Sequence, residues 1–449
     1  MTQTQTLTTR PIPTLIAELA VPASVGFFFN TLFNAVDTWW GGQISTEALA
    51  ALSLSFPVFF IIIAVGSGLA GGTTALIGAA LGKGNREVAE TFSAQGVSFG
   101  IVVSIVITAL GLAGSRTLFV FLGASGEYLR ICLLYMNVIF AGSLFFIINH
   151  MLSATLNALG DTKSFRNFLI AGCFVNALLD PWFIHGGLGV PPMGFAGIAL
   201  ATIMIQAMGG VYLCSKVRRT SLGKACRPAS LRPRLAAFRE IARQGIPASA
   251  NLFTIGLGIF VITYYASGFG KEAVAAYGAA IRIEQIVLLP TIGLSTATLA
   301  IVAQNSGAGL LSRINETVRT ALRFGGIIML GGTAVLFLLA GPLMTLFTAD
   351  PAVIAAGRAY LHISAFLLYA YVILSVNVAA LQGIRKPMFS LWIGLWRQII
   401  APATLFWILT RLLGLGITSI WWGIFAINWS AAMAAWLYAR LQIKRVDSE

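Results

Sequence analysis

Charge is what this sequence has least of. Only 10% of its 449 residues are charged and only 15 are acidic, whereas soluble domains average about 25% charged residues. Hydrophobic residues fill 57% of the chain, more than a water-soluble fold can hide, so lipid must cover part of the surface. Cysteine is scarce as well. Cys132, Cys173, Cys214 and Cys226 form no C-x-x-C pair, and the first three lie in apolar runs. They are read as small helix residues, not as a redox or metal site. His150, His185 and His362 are scattered, make no metal-ligand spacing, and are read as packing or interfacial residues. No G-x-S-x-G or Walker A motif is present, and Gly82-Lys83-Gly84 is too short to cradle a phosphate. Neither an enzyme nor a cofactor is therefore expected. Also missing are the ~10-residue alternating segments of a membrane β-barrel. Residues 1–13 lack a basic stretch followed by a short apolar core, so no cleavable signal peptide is expected and the first apolar run is read as a retained span.

What is present is a series of long apolar runs. They predict twelve helices near 14–40, 49–80, 90–114, 128–158, 164–187, 194–216, 241–268, 274–306, 317–341, 353–383, 387–411 and 416–440. Several exceed the ~20 residues needed to cross a bilayer, so tilt or protruding ends are expected. The 47 glycines suit closely packed membrane helices. The expected fold class is all-α integral membrane, with twelve transmembrane helices in two six-helix lobes related by a pseudo-two-fold axis along the membrane normal. The domains are read as 1–216 (first lobe), 217–240 (basic linker) and 241–449 (second lobe).

The net charge of +14 would suggest nucleic acid in a soluble chain. Here the basic residues sit in loops between apolar runs, so anionic membrane lipids are the expected partner and nucleic acid is not. Of 29 Lys and Arg, 22 lie at the two ends or in the even-to-odd loops, and only five lie in the opposite loops. The positive-inside rule then places both termini of this multi-pass chain in the cytoplasm.

The halves repeat at a nearly fixed offset. Pro22-Ala23-Ser24 recurs as Pro247-Ala248-Ser249, Ala48-Leu49-Ala50-Ala51 as Ala273-Val274-Ala275-Ala276, and Gly82-x-Gly84 as Gly307-x-Gly309. After a shift of the register, Tyr128-Leu129 is read as the partner of Tyr360-Leu361. Each half has an even number of spans, so the repeats run parallel, a plan common among secondary transporters.

Away from loops and span ends, three acids fall within predicted spans, where an ionisable group costs several kcal/mol and is a functional candidate by default. Asp37 lies in the outer part of the first span, with Asn30 and Phe33 on its face. Its counterpart in the second half is Ile262, so the fold itself does not demand an acid there. Asp180 lies in the outer half of the fifth span, with Asn176 on its face and Pro181 expected to weaken the helix. Two carboxylates at one depth in one lobe would repel. Uptake of a proton, or Na⁺ held by Asn and Thr oxygens, would relieve that. Glu284 and Arg282 lie in the eighth span near the midplane. Two residues apart, they do not face each other, and Arg397 is another partner for Glu284; a structural ion pair and a functional site stay equally open.

With these residues located, the chain resembles the multidrug and toxic-compound extrusion (MATE) family along essentially its whole length. The segments that carry the resemblance are Val36-Asp37-Thr38, Gly82-Lys83-Gly84-Asn85, Leu156-Asn157-Ala158-Leu159-Gly160-Asp161-Thr162-Lys163, Asn176-Ala177-Leu178-Leu179-Asp180-Pro181 and Gly194-Phe195-Ala196-Gly197 through Thr202. It looks more like the DinF-type branch than the NorM-type branch, because Pro247 to Thr254 lacks the acid of NorM-like members, and Ala303 to Gly309 also looks DinF-like. The resemblance implies a cation-coupling and substrate site of Asp37, Asn176, Asp180 and Thr202 with Asn30 nearby. It also implies a hinge at Pro22 in the first span. Phe33 departs from members that carry Tyr there, which removes one hydrogen bond of that site. The expectation is a monomeric antiporter that exports amphipathic, cationic drugs or toxins in exchange for H⁺. Na⁺ coupling, a lipid or lipid-linked sugar flippase, and a non-transporting receptor or enzyme are the alternatives.

Overall fold

Long apolar runs with no charge to expose can satisfy their backbone in lipid only as helices, and helices are what the chain forms. The computed structural model describes residues 6–446; residues 1–5 and 447–449, the chain ends expected in the cytoplasm, lie outside the described residues. Among the described residues, nine helices are long and apolar enough to cross a membrane, and three helix pairs bent by 44°, 45° and 51° bring the spans to twelve. In chain order they are α1 (Ile12–Ile44), α2 (Thr46–Gly82), α3 (Arg86–Phe121), the bent pair α4 (Gly126–Ala141) and α5 (Ser143–Ala158), α6 (Lys163–His185) and α7 (Phe195–Arg218). There follow α8 (Leu235–Ser267), the bent pair α9 (Lys271–Val287) and α10 (Leu289–Gly307), and α11 (Leu311–Thr345). The series closes with the bent pair α12 (Pro351–Ser364) and α13 (Leu368–Gly383), α14 (Met388–Leu412) and α15 (Thr418–Val446). Every expected span is present, with ends moved by a few residues.

Polar residues mark where the helices start and stop. Ser45 and Asn85 cap α2 and α3 by accepting from the Ala48 and Val88 amides at 3.0 and 3.1 Å. Gly84 and Gly309 take φ of +73° and +71°, which lets the chain turn between spans at a position that disfavours a side chain. Gly82-x-Gly84 and its repeat thus end one helix and turn the chain toward the next.

The repeat keeps its register further than the sequence motifs suggest. At the same offset that separates Pro22 from Pro247, Thr46–Gly82 and Lys271–Gly307 match end for end, as do Gly126–Ala158 and Pro351–Gly383. No shift of register separates these helices, so the pairing of Tyr128 with Tyr360 is corrected: the counterpart of Tyr360 is Tyr135. A shared dipeptide is a weak anchor beside equal helix lengths. Equivalent threonines also stabilise two of the bends. Thr108 donates to the Phe140 carbonyl at 2.7 Å beside the α4–α5 break, and Thr333 donates to the Ala365 carbonyl at 2.7 Å beside the α12–α13 break. These hydroxyls stand in for amides that a broken helix can no longer supply.

The chain divides into two compact units, residues 25–249 and residues 6–24 with 250–446. The division runs through α1 and α8, not at the expected boundaries of 216 and 240. The physical reason lies in what holds each segment. In the first unit, the Gln95 amide on α3 donates to the Ser230 and Arg232 carbonyls at 3.1 and 2.9 Å, and its oxygen accepts from the Arg234 amide at 2.7 Å. Ser98 adds a bond to Leu231 O at 2.8 Å. The basic linker is thus strapped along α3. Gly68 and Gly72 let the start of α8 pack against α2, since a Cβ at Gly68 would stand 2.2 Å from the Ser249 nitrogen. In the second unit, Asn305 and Arg313 donate to the Leu7 carbonyl at 3.1 and 3.2 Å, and Leu15, Ile16 and Leu19 join its core.

Cys214 and Cys226 are brought together where the linker leaves α7, and the Cys226 thiol donates to Cys214 O. Both remain free thiols. Burial, then the neighbouring Cys214, pushes the Cys226 thiol up to about 12, so at neutral pH almost none is thiolate, the form that reacts. Cys226 should resist iodoacetamide at pH 7–8 and label only in denaturant, as mass spectrometry can check. The bends give a second expectation. Thr108→Val and Thr333→Val each orphan a carbonyl in a low-dielectric setting and should cost about 1 kcal/mol, lowering the apparent Tm in detergent; unchanged melting in both would assign the hydroxyls no role in the bends.

Candidate functional site

In the first unit α1, α6 and α7 bring four of the expected residues together. Asp37 is 6% exposed, and Asn176, Asp180 and Thr202 are buried. The Asn176 amide nitrogen donates to Asp37 Oδ1 at 3.0 Å and to Asp180 Oδ1 at 3.0 Å. Thr202 donates to Asp37 Oδ2 at 3.4 Å and to Ile198 O at 3.0 Å. Residues 176 and 180 are one turn apart on α6, which is why one amide can serve both acids. Pro181 does not interrupt that helix, which continues to His185.

The charge balance of this cluster is unusual. Both carboxylate oxygens lie 3.0 Å from one nitrogen, so they are no more than about 6 Å apart, where two unit charges repel by about 3 kcal/mol at an effective dielectric of ~20. Among the described residues no Lys or Arg forms an ion pair with either acid. Asp180 Oδ2 and Asn176 Oδ1 are buried and receive no donor. The cluster therefore has acceptor capacity to spare and no counter-charge, the arrangement expected of a site that takes up a cation.

Asn30 lies with Asn34, Thr202 and Gln206 around a neighbouring cavity of about 150 Å³, whose other walls include Phe33, Phe56, Phe59, Phe60 and Phe168. That volume holds a few waters, each of about 30 Å³ in the liquid, but is smaller than the 300–1,000 Å³ typical of drug-sized ligands. Larger cargo in this unit requires the phenylalanines to part. Sequence reasoning passed over Asn34, Gln206 and Tyr135. Asn34 stands three residues before Asp37, a spacing that could have flagged it. Tyr135 lies within electrostatic reach of both acids and carried no signal until the repeat register placed it opposite Tyr360. Pro22 lies in an unbroken α1, several turns before Asp37.

The second unit resolves its buried acid differently. Glu284 is 3% exposed and accepts from Tyr360 Oη at 2.7 Å; Ser364 and Tyr371 also reach its carboxylate. Arg397 stands over the Tyr371 ring at 5.7 Å and donates to Asn428 Oδ1 at 2.9 Å. It sits in a π-helical turn of α14, Trp396–Ile400, and exerts an attractive field on Glu284. Arg282 lies on the same helix but is absent from the groups that hold Glu284. Glu284 is thus satisfied by hydroxyls and a nearby guanidinium, whereas the Asp37–Asp180 pair is not. Glu284→Leu should destabilise by about 1–3 kcal/mol for each hydroxyl left without an acceptor, and Glu284→Gln by much less. Thermal unfolding in detergent checks this; equal Tm values for the two would assign the acid no structural role.

Comparison with known proteins adds an independent line. The MatE family model matches residues 22–182 and again 247–407, two stretches that begin at Pro22 and at its repeat partner Pro247. The chain is 27% identical to the probable multidrug resistance protein NorM of Thermotoga maritima, over 92% of this chain and 88% of that protein. It is 28% identical to the FAD transporter of Shewanella oneidensis, over 88% and 87%. A solved MOP superfamily transporter from Pyrococcus furiosus superposes with a TM-score of 0.92 at 25% identity, covering 99% of both chains.

Proposed function

Because the chain belongs to the MatE family of membrane transporters, we propose that it is a multidrug efflux antiporter that exports amphipathic, cationic organic compounds in exchange for H⁺. The observation that carries this reading is the pair of buried acids sharing one Asn176 amide with no basic partner among the described residues. In the charged form the pair attracts a cation. A proton taken up between them removes both the repulsion and the attraction for cationic cargo. The two protonation states then favour different arrangements of α1, and Pro22, which cannot donate a helix bond, is the place where that helix bends. Differential affinity of this kind is what biases a two-state transporter. Phenylalanines around the cavity supply adaptable apolar contacts for varied cargo. The excess of Lys and Arg in one set of loops supports a bacterial inner-membrane protein with both ends in the cytoplasm.

A second reading is Na⁺ coupling, favoured by one observation. Asp180 Oδ2 and Asn176 Oδ1 are free to accept, and Na⁺ is held by such oxygen ligands. The Shewanella relative also makes a flavin a cargo worth assaying.

Everted vesicles with an imposed pH gradient or an imposed Na⁺ gradient decide between the ions. Dye uptake should follow the pH gradient and ignore Na⁺. Asp37→Asn and Asp180→Asn should abolish uptake at normal expression, and Asn176→Leu should cut it more than tenfold. Full transport by Asp37→Asn would remove the pair from the mechanism, and uptake driven by Na⁺ alone would replace H⁺ with Na⁺.

A further inference from the structure

The end of the first unit expected in the cytoplasm holds a second polar feature that the transport reading does not use. Where α7 passes into the linker, the chain forms an open surface depression of about 470 Å³. Four basic side chains line it: Arg86 from the start of α3, Arg218 from the end of α7, and Lys224 and Arg227 from the linker. No acidic residue is among its lining residues. Among the described residues, the one carboxylate paired with any of the four is Glu90, 3.3 Å from Arg86.

The backbone of this wall is fixed, and the four basic side chains project from it at the surface. Leu222 and Ala225 are buried and anchor the loop that forms its wall. The Arg86 guanidinium donates to the Ser221 carbonyl. Thr220 Oγ1 donates to Val217 O at 2.7 Å and accepts from the Leu222 amide at 3.2 Å. Gly223 permits the turn, since a Cβ there would stand 2.3 Å from Arg218 O. Within this wall the Ser221 hydroxyl is shielded from solvent and has no hydrogen-bond partner, an unspent donor beside a cluster of cations.

We infer that this cavity binds a phosphate-bearing anion. Guanidinium and ammonium groups converging on one space match the charge and the several acceptor oxygens of a phosphate. Such a ligand offsets the mutual repulsion of the four cations. The volume falls within the range of small-molecule sites. The same chemistry is offered by an anionic phospholipid head group of the facing leaflet and by a soluble phosphate or pyrophosphate compound.

The test is native mass spectrometry of the full-length protein in detergent, titrated in separate arms with phosphatidylglycerol and with pyrophosphate. Arg218→Gln/Lys224→Gln/Arg227→Gln removes three charges while leaving Arg86 to brace the loop; Arg319→Gln/Arg323→Gln/Lys444→Gln removes three from the second unit as a control. Each basic residue near an anionic surface contributes about fivefold, so the first triple should bind roughly a hundredfold more weakly and the control should bind like the unaltered protein. Thermal melting confirms that both triples fold. Binding of phosphatidylglycerol that pyrophosphate does not displace assigns the site to lipid, and tight pyrophosphate binding assigns it to a soluble anion. Equal losses in both triples, or no saturable binding of either probe, overturn the site.

Discussion

Burying Asp37 and Asp180 around a single amide nitrogen leaves the first unit with a deficit that no basic side chain among the described residues corrects. Water cannot screen the two charges at this depth, and Asn176 can spend each hydrogen only once. On the proposed reading, what balances the pair is a proton or cation taken up from outside the chain. The second unit has the same helical scaffold and answers the opposite way: Glu284 is enclosed by hydroxyls, with Arg397 supplying positive charge.

Register makes the contrast concrete. By the offset that pairs Thr108 with Thr333, Glu284 and Tyr371 correspond to Phe59 and Phe146, whose rings meet edge to face at 5.3 Å in the first unit. Arg397 corresponds to Gly172, which lines the cavity beside Thr202. Asp37 and Asp180 correspond to Ile262 and Leu405. After duplication, then, one copy keeps an uncompensated acid pair beside an apolar cavity. The other places there a polar cluster in which Tyr360 donates to the Glu284 carboxylate.

The spans and the acid pair were legible because they violate strong rules: apolar runs of such length have one stable form in lipid, and acids inside them are costly enough to stand out. The i, i+4 spacing put Asn176 on the face of Asp180, but that the same amide also reaches Asp37 was not legible. What the sequence hid were interactions made by common residues. Tyr360, Ser364 and Tyr371 are ordinary helix residues until α9, α12 and α13 place them around one carboxylate. Thr108 and Thr333 look like any membrane threonine until a helix breaks beside them. The strapping of the linker was hidden for a further reason: Gln95 is one amide in an apolar helix, and nothing in residues 217–240 says which helix they lie on.

That strapping changes what the connecting segment is. A tether with free ends could be lengthened, cut or swapped without consequence, but here Gln95 and Ser98 treat the backbone of 230–234 as a ligand. The joint left by an ancient duplication has been annexed as part of the first half. A gene split to express the halves separately would have to break after that segment, since a cut upstream would strip α3 of its covering and cost Gln95 its three bonds.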